Sequence, residues 1–299
     1  MLNDYLDFEQ PLEAFDISKT GTKPERDALL RTLYQNLSPF QKLMVARHRD
    51  RPHFIDFFSS LFTDPVPLSG DRLTGRCPAT LAMMAQFEGQ PVIVVGHQKG
   101  RSLQDRTRHQ YGMPNPCGYR MALRAFKLAE KYQIPLITFI DTPGAYPGID
   151  AEIQNQSSAI SENIMYLSQI KTRVINVIIG EGMSGGALGI GVGDQMLMLE
   201  NSVFSVISPE GCAAILWNDA NMKEKTADLM QITAQSLLQH GLIDAIILEG
   251  KYQAAHVDWE GTFEHTRAQV KQSLTDLNKT DIDSLISHRQ KKLFTYGSL

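Results

Sequence analysis

The residues most able to do chemistry form a glycine-rich segment, Gly180–Gly193, directly behind the apolar run Val174–Ile179. A buried strand that runs into such a segment exposes main-chain N–H groups, because glycine has no side chain to cover them. These donors bind negative charge on a phosphate, on an acyl-transfer oxyanion or on an enolate. The segment therefore predicts an anion site, and its sequence is compatible with three kinds of site.

The first kind is a dinucleotide site. Gly180, Gly182 and Gly185 fit G-x-G-x-x-G behind a strand, and Glu200 stands about where a ribose-binding acid would lie. This unit is the third strand–helix unit of the predicted sheet, whereas the dinucleotide fingerprint normally opens its domain. The position along the chain therefore disfavours this hypothesis.

The second kind is a serine hydrolase site. Gly182, Ser184 and Gly186 fit G-x-S-x-G, with His240 or His256 downstream as a base. Tight turns also favour serine and glycine for steric reasons, and no acid–histidine spacing in the chain indicates a triad. We therefore interpret Ser184 as a turn residue.

The third kind is an oxyanion site without a nucleophile. Adjacent glycines at Gly185 and Gly186 let two main-chain N–H groups converge on one oxygen. The loop Thr142–Gly148 follows another buried strand, and we expect Gly144 and Ala145 to keep free N–H groups there between two stiffening prolines. Proline and glycine mark ordinary turns too, so a shaped strand end is the alternative for this loop.

An alternation of apolar strands and helices must position these loops. Strands are predicted at 92–95, 135–141, 174–179, 196–199 and 202–207, and helices at 118–132 and 157–168. This order indicates an α/β fold with a parallel sheet covered on both faces, whose ligands bind beyond the carboxyl ends of the strands. Lys99 and Arg101 follow the first strand and could pair with a carboxylate or a phosphate, although a solvated charged loop explains them as well.

Composition excludes several classes of protein. The chain has 299 residues, 42% apolar content and a net charge of −4, so we expect a globular protein that binds no nucleic acid. Cys77, Cys117 and Cys212 form no CxxC pair, which predicts free thiols and no metal site in this chain. The acidic start is unlike a signal peptide, and no apolar run reaches the roughly 18 residues of a membrane span. A cytoplasmic protein without a membrane association is expected.

Longer blocks of sequence carry a family resemblance. They are His97–Arg101, Tyr111–Pro114, Phe139–Ile149, Gly185–Leu188 and Met198–Trp217. In this order they closely resemble the carboxyltransferase alpha subunit of bacterial acetyl-CoA carboxylase, over about Leu33 to Ile247. The resemblance implies a crotonase-like (ClpP-like) fold of stacked ββα units, here as residues 66–299 behind an N-terminal helical extension, residues 1–65.

The resemblance also implies an activity and its partners. The family transfers a carboxyl group from carboxybiotin, held on a biotin carboxyl carrier protein, to acetyl-CoA, which gives malonyl-CoA for fatty acid biosynthesis. Gly185 and Gly186 would be backbone oxyanion donors, and Gly144, Ala145, Lys99 and Arg101 would contact substrate. A zinc-bearing beta subunit would complete the site in an alpha2beta2 heterotetramer that works with biotin carboxylase.

Three departures from the family pattern qualify this expectation. Met183 stands where members usually have glycine, Ile153–Asn155 stands where they usually have Glu-Arg-Gly, and the helical N-terminus is shorter. Met183 would add bulk beside the oxyanion donors. The alternative is a divergent paralogue, which is a weakly active or scaffolding partner of a beta subunit or carboxylates another acyl-CoA.

Overall fold

The computed structural model describes residues 4–19 and 21–297 of the chain. The strands are β1 Thr63–Pro67, β2 Thr80–Phe87, β3 Gln90–His97, β4 Leu136–Thr142, β5 Val174–Met183, β6 Gln195–Leu199, β7 Val203–Ser205 and β8 Ala245–Ile247. The helices are α1 Gln10–Ser18, α2 Lys23–Tyr34, α3 Pro39–Ala46, α4 Phe54–Leu61, α5 Leu103–Arg108, α6 Pro116–Tyr132, α7 Ile149–Ile153, α8 Gln156–Gln169, α9 Ser184–Leu188, α10 Pro209–Trp217, α11 Lys223–Met230, α12 Ala234–Gln239, α13 Trp259–Leu277 and α14 Ile282–Thr295.

The strands form one sheet in the order β1-β2-β3-β4-β5-β6-β8, and β7 pairs with the end of β5. The pairs from β3 to β8 are parallel, which confirms the parallel sheet expected from the sequence. The pairs β1–β2 and β2–β3 are antiparallel. The sequence pattern did not predict β1 and β2, because neither segment shows a clean alternation of apolar and polar residues.

Apolar side chains cover both faces of the sheet. Along β3, Ile93 and Val95 pack on one face with residues of α6 and α8, whereas Val92 and Val94 pack on the other face with α4 and α13. Every residue of β4 and β5 is buried, as expected for parallel strands between two helical layers. This arrangement holds the carboxyl ends of β4 and β5 in fixed positions.

Helix α6 shows how the sequence builds an element that reaches the site. Asn115 caps its first turn by accepting a hydrogen bond from Gly118 N–H, and Pro116 occupies a position where its missing N–H costs nothing. The helix ends at Gln133 in the left-handed conformation. The predicted helix 118–132 is thereby confirmed.

The N-terminal helices are joined closely to the rest of the protein. Helix α4 contributes Phe54, Phe57 and Phe58 to the main core, and β1 already belongs to the sheet. The division of the chain into residues 1–65 and 66–299 stays a prediction. Within residues 4–19 and 21–297, no helix is both long and apolar enough to cross a membrane.

Candidate active site

The glycine turn after β5 lies against the loop after β4. A Cβ atom added to Gly186 would lie 2.5 Å from the carbonyl carbon of Gly144 and 2.6 Å from the amide nitrogen of Ala145. Only glycine allows this approach, because a side chain would overlap the neighbouring backbone. The structure therefore brings together both glycine-containing segments that the sequence singled out.

Several amides at this contact are unpaired. Among the described residues, the N–H groups of Gly185, Gly186 and Ala145 have no hydrogen-bond partner. Gly144 differs, because its N–H donates to Thr142 Oγ1 at 3.1 Å. The expectation of a free amide at Gly144 was therefore wrong; its φ of +142° shapes the loop instead.

Two further contacts fix the turn. Tyr119 Oη of α6 donates a hydrogen bond to the carbonyl oxygen of Gly186 at 3.3 Å. Ser184 adopts a left-handed φ of +55°, which turns the chain sharply from β5 into α9. The carbonyl of Gly186 is therefore held from behind by a buried tyrosine.

The dinucleotide hypothesis was wrong. Strand β5 continues to Met183, so Gly180 and Gly182 lie inside a strand and not in a phosphate-binding turn. Their lack of side chains has packing reasons, since a Cβ at Gly180 would lie 2.3 Å from Asp141 Oδ1 and one at Gly182 would lie 2.9 Å from Phe204. The G-x-G-x-x-G spacing is a coincidence of these contacts.

The hydrolase hypothesis finds no base. His256 is buried and contacts Glu9 and Tyr34, and the His240 ring contacts Gln231. Within the described part of the chain, no histidine forms a hydrogen bond with Ser184. Ser184 is a turn residue, as the sequence indicated.

Beneath the glycine turn lie five charged residues that we call the ion cluster: Arg47, Lys99, Asp141, Glu181 and Glu210. Lys99 Nζ lies 2.6 Å from Asp141 Oδ1 and 2.8 Å from Glu181 Oε1. Arg47 contacts Glu181 Oε2 and Glu210 Oε1, each at 2.7 Å. The ammonium of Lys99 is thus paired within the protein, and a contact of Lys99 with substrate stays a prediction.

The charges of the ion cluster stabilise one another. Burial alone would raise the pKa of Glu181, but Lys99 and Arg47 outweigh burial and hold this pKa at about 2. Burial alone would lower the pKa of Lys99, but Asp141 and Glu181 outweigh it and raise this pKa above its ordinary value. Burial raises the pKa of Asp141, because the attraction of Lys99 offsets the loss of water only in part. Lys99 and Glu181 are therefore charged at neutral pH.

Arg101 also has a structural environment. Its guanidinium pairs with Asp56 Oδ2 at 2.6 Å and lies 4.7 Å from the ring centroid of Trp259. These contacts direct the side chain towards α4 and α13. The geometry does not support the predicted contact with substrate.

A polar cavity of about 250 Å³ borders the ion cluster. Lys99, Asp141 and Glu181 line it together with Pro143 of the β4 loop and Arg106 of α5. A second, mainly apolar cavity of about 390 Å³ borders Ser184 and is lined by residues such as Leu188 and Phe204. The glycine turn thus has an ionic cavity near its base and an apolar one beside it.

A separate group of polar residues, the N-terminal polar cluster, consists of Glu9, Tyr34, His48 and His256. All four are buried, and Glu9 Oε1 accepts hydrogen bonds from Tyr34 Oη and His256 Nε2. Burial and then the neighbouring His256 lower the pKa of His48 to about 4, so its ring is neutral at pH 7.

The N-terminal polar cluster does not fit a metal ion, although Glu9, His48 and His256 lie close enough to share one. An imidazole binds a metal in the plane of its ring. The two histidine rings are stacked, with centroids 4.0 Å apart and planes 24° apart, so their planes do not meet near the Nε2 atoms. Asp50 N–H also donates to His48 Nδ1, which leaves the ring proton on Nε2.

The structure also locates the departures from the family pattern. Met183 is buried and packs against Leu43, Ala46 and Val203, so its side chain belongs to the core. Ile153 is exposed, and Asn155, directly before α8, has a left-handed conformation. The added bulk at Met183 is therefore accommodated by α3 and β7.

The ion cluster is the feature that sequence reasoning missed. Asp141 and Glu181 stand at the ends of otherwise apolar strands, and Glu181 lies between two glycines. An acidic residue in such a run is costly to bury without a partner. The two acidic residues in apolar strands could have indicated a buried ion cluster. They could not have shown that Lys99 and Arg47 supply the opposite charges.

The fold is that of crotonase-like carboxyltransferases. The structure of transcarboxylase 12S with methylmalonyl-coenzyme A and methylmalonic acid bound matches with a TM-score of 0.63 and 16% identity, over 79% of this chain and 43% of that chain. A Pseudomonas malonate decarboxylase hetero-tetramer in complex with coenzyme A matches with a TM-score of 0.58 and 15% identity, over 71% of this chain and 84% of that chain. The chain thus spans less than half of the transcarboxylase chain, and these likenesses concern the fold alone.

Sequence relationships define the family more narrowly. The family model for acetyl co-enzyme A carboxylase carboxyltransferase-like proteins matches residues 9–297. The acetyl-coenzyme A carboxylase carboxyl transferase subunit alpha of Fusobacterium nucleatum is 46% identical over 275 residues, which cover 92% of this chain and 88% of that protein. The chain belongs to this family, and the resemblance found in the sequence is confirmed.

Proposed function

We propose that the chain is the alpha half of a biotin-dependent carboxyltransferase that acts on acetyl-CoA. Together with a beta subunit it would move a carboxyl group from carboxybiotin, carried on a separate protein, to acetyl-CoA. The product, malonyl-CoA, would enter fatty acid biosynthesis. Family membership over residues 9–297 supports the reaction class.

The observation that carries the proposal is the group of unpaired amides of Gly185, Gly186 and Ala145 at one backbone contact. Negative charge develops on the ureido oxygen of biotin when its carboxyl group leaves, and on the thioester oxygen when acetyl-CoA loses a methyl proton. Each fixed donor to such an oxygen is worth about 2.7–4 kcal/mol of barrier. Gly185 and Gly186 donate to one of these oxygens, and the beta subunit supplies donors for the other.

The residues around the donors have supporting roles. Ala145 adds an N–H group from the opposite segment, and Gly144 allows the close approach of Gly186. The apolar cavity beside Ser184 is suited to the acyl and thioester end of the substrate. Lys99 and Arg101 have structural roles and do not bind the substrate, since both form ion pairs within the protein.

An exposed apolar surface next to the site supports the need for a partner. Val206, Ile215 and Leu216 are 78%, 74% and 65% exposed, and Trp217 adds an aromatic edge. Such a surface is typical of a protein interface. We assign it to the zinc-bearing beta subunit of an alpha2beta2 heterotetramer, which receives its carboxyl groups from the biotin carboxyl carrier protein and biotin carboxylase. The free thiols of Cys77, Cys117 and Cys212 agree with a reducing, cytoplasmic compartment.

Reconstitution tests this function. The chain, a beta subunit and carboxylated biotin carrier protein are mixed with acetyl-CoA, and malonyl-CoA is measured by chromatography. Product should form with both subunits present and not with either alone. A stable alpha–beta complex without product would favour a scaffolding role, and product only from a longer acyl-CoA would correct the substrate.

A further inference from the structure

The pairing of β4 with β5 is irregular directly before the candidate site. Ile140 pairs with Ile178, and the next pair is Thr142 with Gly182, so Asp141 alone stands opposite Ile179–Glu181. Main-chain groups in such an irregularity lose their ladder partners. Side chains replace them here: Asp141 Oδ1 accepts a hydrogen bond from Glu181 N–H at 2.9 Å, and Arg51 Nε donates to Ile179 O at 2.7 Å.

Lys99 bridges this irregularity. Its ammonium binds the carboxylates of Asp141 and Glu181, which belong to the two strands, at 2.6 and 2.8 Å. The other oxygen of Glu181 is held by Arg47 of α3. The side chains of Lys99, Asp141 and Glu181 are 15% exposed or less, so water competes little for these contacts.

Two glycines leave room for this bridge. A Cβ at Gly180 would lie 2.3 Å from Asp141 Oδ1. Gly112 has a φ of +80°, and a Cβ there would lie 2.6 Å from Lys99 Cγ. Both positions therefore reserve space for the Lys99–Asp141 pair, which explains motifs that the oxyanion donors leave unexplained.

The bridge is connected to the donors by short stretches of chain. Asp141 lies three residues before Gly144, and Glu181 lies five residues before Gly186. The two segments touch where Gly186 faces Gly144 and Ala145. The separation of the two strand ends therefore sets the position of the donor amides relative to one another.

We propose that Lys99 is a positioning residue for the carboxyl-transfer reaction, which by bridging Asp141 and Glu181 holds the amides of Gly185 and Gly186 in register with Ala145. This inference rests on the proposed function and assigns the ion cluster a task within it. A misplacement of about 1 Å in such a site costs about 100-fold in rate.

The test uses the reconstituted alpha–beta complex with four alpha variants: Lys99→Met, Asp141→Asn, the double variant Lys99→Met/Asp141→Asn, and the exposed control Lys171→Met. Lys99→Met should lower kcat by about 100-fold and change the KM for acetyl-CoA by less than about twofold, because the donors act on the transition state. Lys171→Met should match the wild type.

The pH dependence separates positioning from general damage. Several charged and titratable groups face the bridge. Asp141 of β4 contacts Lys99, Glu181 of β5 and the ring of His97, and Arg47 and Glu210 lie beyond Glu181. His53 and Arg106 line the same cavity. Without Lys99, Asp141 and Glu181 repel each other unless they share a proton. The kcat of Lys99→Met relative to wild type should therefore fall as the pH rises from about 6 to about 9.

The double variant abolishes the repulsion between positions 141 and 181, but it lacks the Lys99 bridge as well. Its kcat should stay below that of wild type and should lose the extra decline with pH. The positioning role would be overturned if the ratio of the Lys99→Met kcat to the wild-type kcat did not change with pH, or if the double variant had the wild-type kcat. If Lys99→Met does not fold, the double variant alone decides between these outcomes. An inactive wild-type complex would instead count against the proposed function.

Discussion

The N-terminal polar cluster is buried, whereas the ion cluster is buried only in part, with the side chains of Arg47 and Glu210 29% and 33% exposed. Both clusters combine carboxylates with basic side chains. The ion cluster borders a cavity of about 250 Å³ and lies beneath unpaired amides. In the N-terminal polar cluster, Glu9, Tyr34 and His256 bond to one another, and the neutral ring of His48 lines the same cavity. Buried polar residues alone therefore do not mark an active site. What distinguishes the candidate site is the group of unpaired amides at Gly185, Gly186 and Ala145.

Substitution of the closest glycine should have the largest effect. Gly186→Val should lower kcat for carboxyl transfer by about 100-fold or more, because its side chain would displace the Gly144–Ala145 backbone. Gly185→Ala is the matched control, since its Cβ would lie 3.7 Å from Ile160 and the donor N–H is kept. Steady-state kinetics and size-exclusion chromatography of the alpha–beta complex check both. Full activity of Gly186→Val would mean that the donors lie elsewhere.

The N-terminal polar cluster should respond in stability and not in catalysis. Tyr34→Phe removes one hydrogen bond to the buried Glu9 carboxylate and should lower the free energy of unfolding by about 1.5–3 kcal/mol. Urea denaturation measures this change, with the exposed Tyr132→Phe as control. A large loss of kcat in folded Tyr34→Phe would contradict a purely structural role for the N-terminal polar cluster.

Acid should destabilise the protein stepwise, as the buried histidines in and around the two clusters and then Glu181 become protonated. Burial lowers the pKa of His48 to about 4 and those of His53 and His97 to about 3. Because these values lie below the ordinary 6.5, the neutral rings stabilise the fold above pH 6.5, and this contribution is lost as the pH falls towards 3. Glu181 adds a further loss between pH 4.5 and about 2.

Urea denaturation at a series of pH values measures this decline. His53→Asn should flatten the curve, whereas a substitution of the exposed His288 should leave it unchanged. Stability that stays constant from neutral pH down to about 4 would contradict the assignment of neutral buried rings.

The smallest effect is expected at Arg101. Arg101→Met removes the contacts with Asp56 and Trp259 and should lower stability by about 0.5–1 kcal/mol. The KM for acetyl-CoA should not change, because the side chain faces α4 and α13. A tenfold rise in KM would restore the substrate contact that the sequence suggested.

Sequence reasoning succeeded where the signal is local. The apolar run Val174–Ile179 and the adjacent glycines at Gly185 and Gly186 indicate a strand followed by a tight turn, and the structure has both. The role of these glycines as donors stays a prediction. The Asn115 cap and Pro116 likewise mark the start of α6. Periodicity and turn chemistry are properties of neighbouring residues, so one sequence suffices to detect them.

Sequence reasoning failed where residues that contact one another are distant in the chain. Lys99 meets Asp141 and Glu181 across 42 and 82 residues, and Arg47 comes from a segment that we interpreted as an extension. An isolated lysine or arginine in a sequence gives no sign of its partner, so Lys99 and Arg101 looked like free cations. Strand β2 was missed for a related reason, since its pairing with β3 defines it more than its own pattern does.

The two glycines that make room for the Lys99–Asp141 pair have a practical consequence for protein engineering. Positions 141 and 180 must be varied jointly, because a larger residue at 180 fits only when the side chain at 141 shrinks. Gly112 has to stay glycine, because its φ of +80° strains any side chain whatever stands at position 99. A combinatorial library that randomises these positions one at a time would return mostly dead clones. Paired randomisation of 141 with 180, with Gly112 kept, would reach viable alternatives.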